Sequence, residues 1–135
     1  MMMSTTLTIR DETSFSLGGD DEQFTLDVPT ERITVRALIR TRVFQEVHDY
    51  NLNRPEYFRG LVQPTGAERT LNGFKVRQRR SLDPEKQFQK AIESFYRNGF
   101  LILVNDRQVE ELEEEIEIRP DTTVEFLKLV PLVGG

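Results

Sequence analysis

The chain has 135 residues, 37% apolar and 30% charged, a composition that suits one globular domain with a single core. It contains no cysteine, which excludes disulfides, thiolate metal ligands and a cysteine nucleophile, and no run approaches the roughly 20 apolar residues of a membrane span. The formal net charge of −5 is unevenly spread: residues 1–52 carry 5 basic and 9 acidic side chains, residues 53–99 carry 10 and 5, and residues 100–135 carry 3 and 9.

The opening stretch MMMSTTLTIRDET lacks the basic and apolar regions of a secretory signal, so a cytoplasmic location is expected. Within it, TTLTIRD alternates Leu7 and Ile9 with polar residues, the pattern of a half-buried strand. Gly18 and Gly19 with three acids read as a turn, and QFTLDVP alternates again until Pro29 ends it. Two strands so close in sequence predict an antiparallel hairpin.

The period then changes. In ITVRALIRTRVFQEVHDYN, the residues Val35, Leu38, Ile39, Val43, Val47 and Tyr50 share one face at helical spacing, with Thr34 placed to cap and Arg36, Arg40 and Arg42 mainly outside the stripe. From NLNRPEYFRG onward the pattern breaks at Pro55, Pro64 and Gly66, and RTLNGFKV reads as a small hairpin around Asn72-Gly73. A second helix is expected over SLDPEKQFQKAIESFYRNG, capped by Asp83, opened by Pro84 and stopped by Gly99, with Phe88, Ala91, Ile92, Phe95 and Tyr96 as its apolar face.

Phe100 to Val104 is continuously apolar, as for a central strand covered on both faces. Asn105-Asp106 make a turn, and EELEEEIEIRPD, with Leu112, Ile116 and Ile118 among six glutamates, suits a short strand with one wet face. TTVEFLKLV is the last strand. The order strand, strand, helix, irregular segment, helix, strands predicts an α+β fold with a mixed sheet of four or five strands and helices on one face.

A search for catalytic chemistry finds no convergent set of reactive groups. His48 is the lone histidine, without a second ligand at metal-binding spacing. The glutamates from 110 to 117 lack the glycine and asparagine pattern of a calcium loop, and Gly18-Gly19 lacks the lysine of a phosphate loop. Arg77, Arg79 and Arg80, with Arg69, Lys75 and Phe74 nearby, suit a surface loop or a patch for an acidic partner. Nucleic-acid contact is outweighed, at this level, by the acidic total. The basic residues are 14 Arg and 4 Lys (Lys75, Lys86, Lys90 and Lys128), which fits codon bias or a chain that gains from few amines of its own.

The closing stretch FLILVNDRQVEELEEEIEIRPDTTVEFLKLVPLVGG resembles the last section of the ubiquitin-like β-grasp superfamily. In particular it is similar to the sulfur carriers of molybdopterin and thiamin synthesis and to bacterial ubiquitin-like modifiers. FTLDVPTERITVRALI agrees with the second strand and helix start of the sulfur carriers. The resemblance covers about residues 5–50 and 100–135, and residues 52–99 form an insertion, containing the second helix, that the compact carriers lack.

The resemblance implies one β-grasp domain over 1–135 with a flexible tail at 131–135, and a protein that is not itself an enzyme. A partner enzyme would use ATP and magnesium to adenylate the Gly135 carboxylate, which then ends as an amide on a target or as a thiocarboxylate that donates sulfur. A transfer enzyme, a deconjugating protease and target proteins are the further partners implied, and such systems are associated with phage defence. A non-covalent β-grasp adaptor is the third reading.

The residue types suit this chemistry. Gly134 and Gly135 lack Cβ and can thread a narrow channel, Pro131 ends regular pairing, and Leu132 and Val133 can fill apolar grooves on the activating enzyme. Period-two counting sends Val124 and Phe126 to the core and Glu125, Leu127 and Leu129 the other way. Leu127 and Leu129 then form either an exposed partner-binding patch or a surface covered by residues 52–99.

Overall fold

The computed structural model describes residues 5–13, 22–28 and 31–129, an α+β chain with a mixed five-stranded sheet and two helices. Its strands are β1 (Thr5–Thr13), β2 (Glu22–Val28), β3 (Arg32–Thr34), β4 (Tyr57–Phe58), β5 (Ala67–Thr70), β6 (Gly73–Val76), β7 (Phe100–Val104), β8 (Arg107–Val109), β9 (Glu115–Glu117) and β10 (Thr123–Lys128). The helices are α1 (Val35–Asn53) and α2 (Pro84–Tyr96). Two compact units divide the chain: Met1–Leu38 with Phe95–Gly135, and Ile39–Ser94.

The first unit holds the five-stranded sheet, in the order β2-β1-β10-β7-β8. The expected hairpin is present, β1 running antiparallel to β2 with Leu7 opposite Leu26. The last strand, β10, lies between β1, to which it is parallel, and β7, to which it is antiparallel. Alternation puts Leu7, Ile9, Leu26, Val28, Ile102, Val124 and Phe126 on one buried face. Phe100 stacks at 5.9 Å from both Phe95 and Phe126 and extends that core.

A two-stranded ribbon pairs β3 with β9, Ile33 opposite Ile116 and both buried. This ribbon prepares the start of α1. The Thr34 hydroxyl accepts from Ala37 N–H at 3.1 Å, as its position predicts, and Val35 and Arg36 N–H donate to the Glu114 and Leu112 carbonyls at 2.9 Å. These bonds satisfy amides that a helix start otherwise leaves open.

The second unit contains a three-stranded sheet, β4-β6-β5, with most of both helices. RTLNGFKV is the β5–β6 hairpin, its tip at Leu71-Asn72 and Gly73 following at φ 126. At Gly60 a Cβ would lie 2.1 Å from the buried Phe58 ring, so any larger residue would have to displace that ring. Asn51 clasps Leu82 twice, donating to its carbonyl at 3.0 Å and accepting from its amide at 2.9 Å. Asp83 caps α2, accepting from Glu85 N–H at 3.0 Å.

Several expectations need correction. Arg42 is 1% exposed and ion-paired to Glu46 at 3.4 Å, because it falls about one turn after Leu38 and Ile39, inside the apolar stripe. Tyr96 is exposed at the C-terminal end of α2. The left-handed residue that stops α2 is Asn98, at φ 57, ahead of Gly99. The apolar run of β7 is fully buried only at Phe100 and Ile102, since Leu101, Leu103 and Val104 remain half-buried. The turn at Gly18-Gly19 lies outside the described residues.

Tyr50 is 4% exposed, edge-on to Phe58 at 5.4 Å, and its hydroxyl finds no hydrogen-bond partner among the described residues. Burial raises its phenol above the ordinary 10.0, against a smaller opposing pull from Arg54 and Arg79. The unfolded chain therefore loses this proton first, and the folded state loses stability as pH rises past about 10. Tyr50→Phe should leave stability at pH 7 within about 1 kcal/mol of the parent. It should also flatten the alkaline decline, read as urea midpoints between neutral pH and pH 11.

Candidate functional site

The chemistry expected at the end of the chain depends on how its last strand is held. β10 is hydrogen-bonded on both sides, and its start is fixed by Asn105, whose side-chain oxygen accepts from Thr123 N–H at 2.9 Å. Asn105 and Asp106 both have positive φ (48 and 67), the backbone of a tight two-residue hairpin turn between β7 and β8. At the far end, Leu129 N–H donates to the Gly99 carbonyl at 3.0 Å. Pro131, Leu132, Val133, Gly134 and Gly135 lie outside the described residues.

Val124 and Phe126 are fully buried, while Glu125 and Leu127 are half-buried and Leu129 is 37% exposed. Register sets Leu127 opposite Leu101 and Glu125 opposite Leu103. Leu101, Leu103 and Leu127 therefore share the sheet face opposite the core. On β1 this face is edged by Arg10, which reaches Glu12 at 3.5 Å and Glu125 at 3.9 Å. The result is a short apolar strip with a charged margin. Leu101 and Leu103 were missed because an unbroken apolar run hides which residues face outward.

The glutamates between β8 and β10 are largely paired within the chain. Glu113 accepts from Arg36 at 2.8 Å, Glu114 from Arg107 at 2.7 Å and Glu117 from Arg119 at 3.0 Å, and Glu115 lies 3.7 Å from Arg32. The bond to Glu113 raises the Arg36 pKa further, so its charge is secure at any physiological pH. No group of three His, Asp or Glu side chains that could hold a metal ion occurs among the described residues. His48 is exposed on α1. A cleft of about 120 Å³ lies beside β7 and β8, lined by Phe95, Phe100, Leu101 and Val109 with Asn98, Gln108 and Glu110.

Arg77, Arg79 and Arg80 sit together after β6, exposed, with Arg77–Arg79 forming a 3-10 turn. Gln78 and Arg79 both have positive φ (60 and 46), and Arg80 donates to the Thr65 carbonyl. This group belongs to the second unit, and Leu127 and Leu129 belong to the first. Among the described residues no helix is long and apolar enough to cross a membrane. Comparison with protein-family models, with curated proteins and with solved structures found no match.

The two faces of β10 differ in a measurable way. Phe126→Ala should cost about 3–5 kcal/mol, because it empties a fully buried site. The neighbouring Leu127→Ser should cost about 1 kcal/mol or less, as at a part-exposed position. Urea unfolding with unchanged m-values reads both.

Proposed function

We propose that this chain is a ubiquitin-like modifier of β-grasp fold, whose Gly135 carboxylate is adenylated by a partner enzyme with ATP and magnesium and then conjugated to a target. The observation that carries this reading is the position of β10, central in the sheet and parallel to β1, with Leu129 fastened to Gly99 just before the tail. An N-terminal hairpin with β10 inserted beside β1 in a mixed five-stranded sheet supports the β-grasp reading. A strand hydrogen-bonded on both sides and anchored at Leu129 supports a mechanism in which the partner finds the carboxylate from a docking face on that strand.

The chemistry assigns separate tasks. The Gly135 carboxylate attacks the α-phosphorus of ATP, pyrophosphate leaves, and a nucleophile then attacks the acyl carbon of the acyl-adenylate so formed, with AMP leaving. Gly134 and Gly135 let the tail pass a narrow channel, and Leu132 and Val133 supply apolar contact within it. Leu127 and Leu129, with Leu101 and Leu103, supply the docking face, since an apolar strip on an outer sheet face is a common partner surface. The reading as an adaptor without covalent chemistry loses support from this division of labour but shares the same face.

Incubation with an adenylating enzyme of the same host and ATP–magnesium should release pyrophosphate, and removing Gly134 and Gly135 should abolish that release. Leu127→Glu with Leu129→Glu should reduce it at least tenfold while leaving the fold intact. Intact mass then identifies the product: adducts cleaved by a deconjugating protease mark a modifier, and one sulfur in place of one oxygen marks a sulfur carrier. Binding and cellular activity that survive loss of both glycines would sink the proposal in favour of an adaptor.

A further inference from the structure

Net charge conceals a division that the two units make plain. Ile39–Ser94 carries 11 basic and 7 acidic side chains, a balance of +4, whereas the rest of the chain carries 7 and 16, a balance of −9. The cations also differ in how they are used. Arg10, Arg32, Arg36, Arg40, Arg42, Arg107, Arg119 and Lys128 all pair with carboxylates. Between residues 54 and 80 there are six arginines and one lysine, all exposed, and none pairs with a carboxylate among the described residues. Two of them, Arg59 and Arg80, are instead held by the backbone carbonyls of Asn72 and Thr65.

The three-stranded sheet arranges part of this charge in a line. Tyr57 on β4 is opposite Lys75 on β6. Arg59 and Tyr57 both lie against the side of Gly73, two residues before Lys75 on the same strand face, and Arg77 opens the 3-10 turn that follows β6. The stripe therefore reads Arg59, then Tyr57 beside Lys75, with Arg77 next along the chain where β6 ends. Glu68, opposite Lys75 on β5, is the carboxylate nearest in register. Tyr57 is half-buried and stands among these cations, opposite Lys75. Past the stripe, Arg79 is held in left-handed backbone at φ 46, a conformation uncommon outside glycine and concentrated at binding sites.

We propose that the second unit binds single-stranded nucleic acid along this stripe, with Arg59, Lys75 and Arg77 on phosphates and a base stacked on Tyr57. Unneutralised arginines suit phosphate oxygens, and an aromatic ring among them gives a site for an unstacked base, which neither a duplex nor an acidic peptide provides. This inference does not depend on the adenylation reading. It replaces the expectation drawn from the acidic total, which the charged residues of the first unit dominate.

Fluorescence anisotropy of the full chain with a labelled 20-nucleotide oligo-dT tests it. Binding should fall with salt with a log–log slope of about −2, for three phosphate contacts at about 0.7 each. Lys75→Ala with Arg77→Ala removes two side chains that have no partner among the described residues, so thermal unfolding should be unchanged. The pair should weaken binding about 25-fold at 0.1 M salt and reduce the slope by about 1.4. Tyr57→Ala should weaken oligo-dT binding at least fivefold. No binding, a slope near zero, or an unaffected double variant would overturn the proposal. Duplex DNA or polyglutamate bound as tightly as oligo-dT would overturn it too, the second by showing a surface for acidic protein.

Discussion

The parallel ladder between β1 and β10 is the constraint on which the first unit depends. It joins residues 8–13 to residues 123–128, so strands from opposite ends of the described chain become central neighbours. A parallel pair cannot be closed by a tight turn, and everything between the two strands serves as its connection. The register leaves little freedom. A slip of one residue would turn Val124 and Phe126 outward and drive Glu125 and Leu127 into the core. The ladder also carries a charge pair, Lys128 to Asp11 at 3.8 Å, near the end where the core gives way to solvent. Hydrophobic burial sets which face points inward, and this pair marks how far along the strand the burial extends.

Charge is used in two opposite ways. In the first unit, arginines from β3, α1, β8 and the β9–β10 connection reach a glutamate run and fasten it beside the helix start whose amides it satisfies. Each such surface pair is worth little alone, but together they keep an acidic segment from repelling itself. In the second unit the cations between residues 54 and 80 have no such partners among the described residues, and two bond to carbonyl oxygens, which leaves their charge uncancelled. A single net charge describes neither arrangement.

Much of the architecture was legible in local sequence because the deciding interactions are local. The Thr34 and Asp83 caps, the alternation in β1, β2 and β10, and the hairpin at RTLNGFKV all involve residues a few positions apart. What the sequence hid was long-range. The partner of Arg36 is Glu113, and β3 is a three-residue strand, too short for a period, that pairs with β9, the short strand with one wet face expected within EELEEEIEIRPD. Arg42 was misplaced because a charged residue inside an apolar stripe reads as an interruption until its i+4 glutamate is seen. Of the candidate site, Leu127 and Leu129 were visible by counting, whereas Leu101 and Leu103 needed the register of a neighbouring strand. The glycine pair and residues 131–133 are known only as sequence.

The two units also differ in how their residues are spaced along the chain. Ile39–Ser94 is one uninterrupted run, with Val43, Tyr50, Phe58, Val76 and Phe88 among its buried residues. The other unit joins residues 8–13 to residues 123–128, and contacts of that separation form slowly because a long loop must close before they are rewarded. During synthesis β1 and β2 therefore leave the ribosome first yet wait longest, with their apolar edge open until β10 emerges. Every residue of Ile39–Ser94 is made before β1 has its parallel partner.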